Sequence, residues 1–190
     1  MLIDSVSMPY PILKEHIFVY VRHFTVHAAI FQEFDPEMFR LIHMAIDEAR
    51  RGMQNDHGGP FGAVIVKDGE VISTAHNEVL SSKDPTAHAE ILAIRRASQQ
   101  LGQFDLSDCD IYTTSQPCPM CFAAICWARI KRIHYGTTTE EVAIAGFDDS
   151  HIYSIIKGEQ PAEIELMNIE REACLELLKE WKNKTDKQMY

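Results

Sequence analysis

The chain is poor in positive charge. Its 190 residues include 18 Lys and Arg against 28 Asp and Glu, a formal net charge of −10. A surface that neutralises a run of phosphates needs the opposite balance, and the densest basic cluster, Arg129 with Lys131 and Arg132, is small. No nucleic-acid partner is expected. Long apolar runs are missing too. Residues 17–31 are fairly apolar, but Arg22, His23 and His27 interrupt them, and the stretch is too short to span a bilayer. It also lacks the basic start and small-residue cleavage site of a secretory leader, so no membrane association is expected. Nor is there an even set of cysteines for a disulfide framework. There are five, two of them in a C-x-x-C at metal-ligand spacing. That usage fits a reducing cytoplasm. Cys109, Cys126 and Cys174 sit among apolar neighbours and read as buried hydrophobes. Repeats and low-complexity tracts are absent.

What is present suits one folded domain. Hydrophobic residues make up 46% and charged residues 24% of the chain, and a chain of this length buries about two-thirds of its unfolded surface. Residues 1–34 read as an N-terminal extension with no assignable motif, and residues 35–190 as the domain. Asp35-Pro36 is a cap followed by a first-turn proline. Met38, Leu41, Ile42, Ala45 and Ala49 then recur at helical spacing, with Gly52 as the expected stop. Two strands are expected at Phe61–Val66 and Val71–Ala75, joined by Asp68-Gly69, a strong hairpin signal. Further on, a helix capped by Thr86, a strand at Asp110–Thr114, a helix from Pro119 and a strand at Arg132–Tyr135 imply a parallel crossover. A last strand is expected at Glu163–Asn168, and an amphipathic helix through Cys174, Leu177, Leu178 and Trp181.

The stretch from Pro85 to Cys121 carries the chemistry. It opens with Pro85-Thr86-Ala87-His88-Ala89-Glu90 and closes with Pro117-Cys118-Pro119-Met120-Cys121. A catalytic zinc takes three protein ligands and leaves a fourth position open. His88, Cys118 and Cys121 supply one nitrogen and two sulfurs. Both halves lie at helix starts, where the helix dipole favours thiolate, the form that binds metal. Glu90 stands two residues from His88, so its side chain leaves the helix in another direction. That suits a general acid/base beside the metal rather than a ligand on it. A closed four-cysteine structural site would need two more cysteines nearby, and none has that spacing. H-x-E followed by P-C-x-x-C is the signature of the zinc deaminases.

From Asp35 onward the chain resembles the cytidine deaminase superfamily, and within it the bacterial guanine deaminases and plant guanosine deaminases. The resemblance rests on Gly58-Gly59-Pro60-Phe61-Gly62-Ala63-Val64-Ile65-Val66, on Asp84 to Glu90, on Pro117 to Cys121, and on Ala145-Gly146-Phe147-Asp148-Asp149. The last piece is the most selective. The resemblance implies a three-layer α/β/α fold around a five-stranded mixed sheet and hydrolysis of guanine to xanthine and ammonia, in purine catabolism, with Zn2+ as cofactor. It implies that Asn77 hydrogen-bonds the purine, that Phe61 packs on its ring, and that Asp149 is a second proton carrier. Ala87 and Trp127 join the expected pocket. It also implies a homodimer whose exchanged C-terminal segment brings Tyr190 to the site. The chain departs from the family at Gln116, where relatives carry Glu, and in its N-terminal extension. Guanosine, tRNA adenosine and cytosine deamination remain open on the same scaffold, as does a non-catalytic zinc module, although the presence of Glu90 speaks against the last.

Overall fold

The computed structural model describes residues 35–189; the expected extension at 1–34 and Tyr190 lie outside the described residues. Helix α1 (Pro36–Gln54) starts at the proline, as expected. Its buried residues Leu41, Ala45, Glu48, Ala49 and Gly52 form one face at helical spacing. Gly52 does not end it. The helix runs on to Gln54, and Gly52 instead makes room for the His76 ring, which a Cβ there would meet at 2.5 Å.

Strands β1 (Gly62–Lys67) and β2 (Glu70–His76) pair antiparallel through the Asp68-Gly69 turn. Both turn residues have positive φ, 51° and 82°, as a twist-matched two-residue hairpin requires. A single helical turn, α2 (Val79–Ser82), follows. Helix α3 (Ala89–Leu101) is capped by His88 rather than Thr86, whose hydroxyl is bonded to Asp84. Strand β3 (Cys109–Ser115), helix α4 (Pro119–Trp127) and strand β4 (Arg132–Thr137) form the crossover, with β3 and β4 parallel. Helix α5 (Thr139–Ile144) begins at a capping box between Thr138 and Glu141. Helix α6 (Ser150–Ile156) and helix α7 (Arg171–Asn183) complete the described chain. None of its helices is long and apolar enough to cross a membrane.

The sheet order is β2-β1-β3-β4. Strand alternation builds two cores, one on each face. Ala63, Ile65 and Ile111 face Ala89, Ala93 and Ala97 of α3 and Ile125 of α4. Val64, Val66 and Tyr112 face Leu41 and Ala45 of α1. The α/β/α layering is thus as expected. Alanines on α3 let it approach the sheet closely, and Gly62 does the same for α1: a Cβ on Gly62 would lie 2.0 Å from the Ala45 carbonyl oxygen.

Two expectations need correction. The sheet has four strands among the described residues, not five: Glu163–Asn168 forms no strand, and every residue of it is exposed. A period-two pattern makes a strand only where an edge is available to pair with it, and this segment pairs with none in its own copy. The cysteines also divide differently. Cys109 is buried, whereas Cys126 and Cys174 are exposed. Cys126 follows the buried Ile125 and turns to the outer side of α4, and α7 buries no residue at all.

Candidate active site

Two helix starts meet beside the sheet. His88 is the N-cap of α3 and Cys118 the N-cap of α4, both with extended backbone (ψ 155° and 167°), and Pro119 locks the first position of α4. Cys121 lies one turn further on and is fully buried. His88 Nδ1 is 3.6 Å from Cys118 Sγ and 3.5 Å from Cys121 Sγ. The three donor atoms lie within 4.8 Å of one another. Tetrahedral zinc, with Zn–S near 2.3 Å and Zn–N near 2.0 Å, requires N···S separations of about 3.5 Å. The donor set and its spacing therefore fit zinc, and three ligands leave a coordination position for water. No other His/Cys/Asp/Glu cluster of this kind occurs among the described residues.

The electrostatics separate the roles. Hydrogen bonding from Cys121 and His88, against the opposing effect of burial, pulls the Cys118 thiol down to about 4. Cys121, donor in that bond and enclosed by protein, is pushed up. Cys118 is thus the first thiolate of the pair, and its acceptance of a hydrogen bond raises His88. Burial pushes the Glu90 carboxyl above the usual carboxylate range, and the negative charge of Cys118 adds to this. A dication on these ligands opposes both effects. Asp149 is raised for the same two reasons, burial first and Cys118 second. Its neighbour Asp148 moves the other way because its carboxylate accepts the Ser150 N–H at 2.9 Å.

These groups open onto a cavity of about 530 Å³, within the usual range for a small-molecule site. His88, Glu90 and Cys118 form one side; Phe61, Asn77, Phe147 and Asp149 form others. Asn77 is buried, and its Oδ1 accepts from the N–H groups of Gly59 (3.3 Å) and Val79 (3.2 Å). Those two backbone donors fix the amide orientation. Nδ2 has no hydrogen bond among the described residues, so Asn77 offers the cavity a donor. Phe61 meets Phe147 edge to face, with centroids 4.9 Å apart at 82°. Phe147 and the Gly58-Gly59 wall were not read as site residues, although both belong to motifs quoted for the resemblance. The signal was there: an aromatic between two turn glycyl or acidic residues has no helix or strand face to fill.

Gln116 lines the cavity as well. Two expected pocket residues do not. Ala87 is buried outside the lining, with its N–H bonded to the Asp84 carbonyl and its carbonyl to the Glu78 N–H. Trp127 ends α4, nine residues beyond the Cys118 cap, and is 71% exposed. Tyr190 lies outside the described residues.

Residues 37–137 match the family model described as the cytidine and deoxycytidylate deaminase zinc-binding region. The chain is 46% identical over 149 residues to the guanine deaminase of Bacillus subtilis, covering 77% of this chain and 94% of that one. The crystal structure of a guanine deaminase from the same organism superposes with a TM-score of 0.75 at 43% identity, over 80% of this chain and 98% of the other. A tRNA-specific adenosine deaminase of Aquifex aeolicus is also 46% identical, but over only 92 residues, 48% of this chain and 60% of the relative. The chain therefore belongs to the cytidine and deoxycytidylate deaminase family and is a hydrolytic deaminase of its zinc-dependent type.

Proposed function

We propose that this deaminase converts guanine and water to xanthine and ammonia, a step of purine catabolism. The observation that carries the reading is the wall formed by Phe147 and Asp149. The Gly146-Phe147-Asp148-Asp149 loop turns at Gly146 (φ 98°) and brings an aromatic ring against Phe61 and a carboxyl with a raised pKa into the cavity that holds Glu90. The match to the guanine deaminase extends over 77% of the chain, whereas that to the Aquifex aeolicus tRNA deaminase extends over 48%.

His88, Cys118 and Cys121 would hold the zinc, which when bound supplies a Lewis acid that lowers the pKa of its water to about 7. The chain's own groups do the rest. Phe61 and Phe147, already in edge-to-face contact, form one apolar wall against which the planar base packs, excluding water from that side. The Nδ2 of Asn77 donates to a ring acceptor and sets the base in plane. Glu90 accepts the proton of the attacking water and delivers it to ring N3 as C2 becomes tetrahedral. The C2 hydroxyl then gives its remaining proton to Glu90 or Asp149, which passes it to the amino group; the C2–N bond breaks, ammonia leaves, and C2 becomes the carbonyl of xanthine. Ammonia release from guanine, guanosine, cytosine, cytidine and adenine, each offered alone, is expected to be fastest from guanine. Faster release from guanosine or adenine would overturn the substrate assignment, and release from none would favour a binding module.

We further propose a homodimer in which the C-terminal segment packs on the second copy. Ile164 (73% exposed), Leu166 (93%), Met167 and Ile169 stand close together in sequence, with Leu177 (65%) further on, and find no cover among the described residues; apolar exposure concentrated in this way marks an interaction surface. Light scattering is expected to give twice the chain mass. A monomeric mass at micromolar concentration would sink the exchange.

A further inference from the structure

A chain of hydrogen bonds runs behind the substrate cavity and takes no part in the chemistry proposed above. His76 Nδ1 lies 3.1 Å from Glu48 Oε2, and His76 Nε2 lies 2.9 Å from His57 Nδ1. The two imidazoles stack with centroids 5.1 Å apart at 28°. Glu48 is nearly enclosed. Burial would raise its carboxyl, but hydrogen bonds from His76 and Thr74 and the charge of Arg51 together hold it below the usual carboxylate range. An ionised carboxylate accepts only, so His76 carries its proton on Nδ1. With a single proton on His76, its Nε2 accepts and His57 donates from its own Nδ1. Glu78, whose carboxylate is 4.0 Å from His76 Nε2, is engaged by Arg96 at 2.6 Å. The chain then runs from His57 to His76 to Glu48.

Its two ends bracket the cavity wall. His57 precedes Gly58-Gly59, and His76 precedes Asn77. The Gly59 N–H donates to Asn77 Oδ1, which closes a small ring of residues with the His57–His76 bond at its back. A Cβ on Gly58 would sit 2.0 Å from Asn77 Oδ1, so this wall and this amide are packed without slack. The His57 carbonyl also accepts from Leu80 (2.9 Å) and Ser81 (3.1 Å), tying down α2, whose Val79 and Leu80 line the cavity.

We propose that His57 and His76 are positioning residues: their ring-to-ring hydrogen bond, anchored on Glu48, holds the Gly58-Gly59 wall and the Asn77 amide in the arrangement that grips the purine. The inference rests on the guanine reading for its substrate but not for its geometry. Without the bond, the wall relaxes away from the base while zinc, Glu90 and Asp149 stay in place. The expected signature is in KM. His57→Ala raises KM for guanine about tenfold and moves kcat by less than about threefold, with zinc content unchanged. His57→Asn, whose amide nitrogen occupies the place of Nδ1–H, brings KM back to within about threefold of the parent. Nitrogen-15 NMR of the unaltered protein is expected to show both rings neutral and protonated at Nδ1. Unchanged KM in His57→Ala, parallel loss of kcat, or no recovery in His57→Asn overturns the positioning role. Rings protonated at Nε2, or a doubly protonated His76, overturn the direction of the chain. Absence of guanine turnover in the parent protein would overturn the substrate reading instead, while the NMR result still tests the hydrogen bonds.

Discussion

Replacing Glu90 with Gln is expected to lower kcat on guanine by about a thousandfold or more while leaving stoichiometric zinc in place. The geometry separates the two properties. Glu90 lies one residue inside α3, buried and facing the cavity, whereas the three donor atoms that fit zinc belong to His88, Cys118 and Cys121. Gln has nearly the same shape and fills the same place beside the three metal donors. It cannot accept a proton. General acid–base groups contribute between about 10² and 10⁴ in rate. Glu90 is assigned both to the water and to ring N3, which argues for the upper half of that range, about 4 kcal/mol at a thousandfold. Steady-state kinetics beside metal analysis on one preparation checks both halves. Zinc loss together with activity would mean that Glu90 supports the metal, and retained turnover would remove it from the proton path.

The zinc ligands were legible because local sequence decides their geometry. A cap residue followed by Pro119 starts a helix at a known point, and a C-x-x-C across that start brings two sulfurs to one side whatever the rest of the fold does. The α/β/α layers came from the resemblance, and the continuous apolar run Ala63–Val66 agrees with them, since it places apolar side chains on both faces of the sheet. What escaped was decided by contacts distant in sequence. Gly52 carries the marks of a helix stop, but its real constraint is the His76 ring on β2. Glu163–Asn168 has a strand pattern and no strand, since pairing depends on an edge elsewhere. Trp127, six residues beyond Cys121, was expected in the pocket, yet at the end of α4 it is exposed. The pocket lining was read from single residues, whereas Phe61, Phe147, Gly59 and Asn77 form it by mutual contact.

Cys121→Ser is expected to abolish turnover by removing the metal, a loss as complete as that of Glu90→Gln but of different origin. Cys121 is fully buried at the first turn of α4, and its sulfur lies 3.5 Å from His88 Nδ1. A serine hydroxyl there is shorter, harder and protonated at neutral pH. Two ligands cannot fix zinc in the tetrahedral site that three create. Metal binding to a site that exists only in the folded chain also contributes to stability, so the thermal midpoint should fall together with zinc content. The unaltered protein stripped with a chelator provides the control. It should lose activity and thermal stability in the same way, and added zinc should restore both, whereas the same addition to Cys121→Ser restores neither. The two substitutions thus separate the proton carrier from the metal site: zinc without turnover at Glu90, and neither at Cys121. If Cys121→Ser keeps stoichiometric zinc and normal turnover, the metal is held by other groups and the assignment of the helix-start cage is wrong.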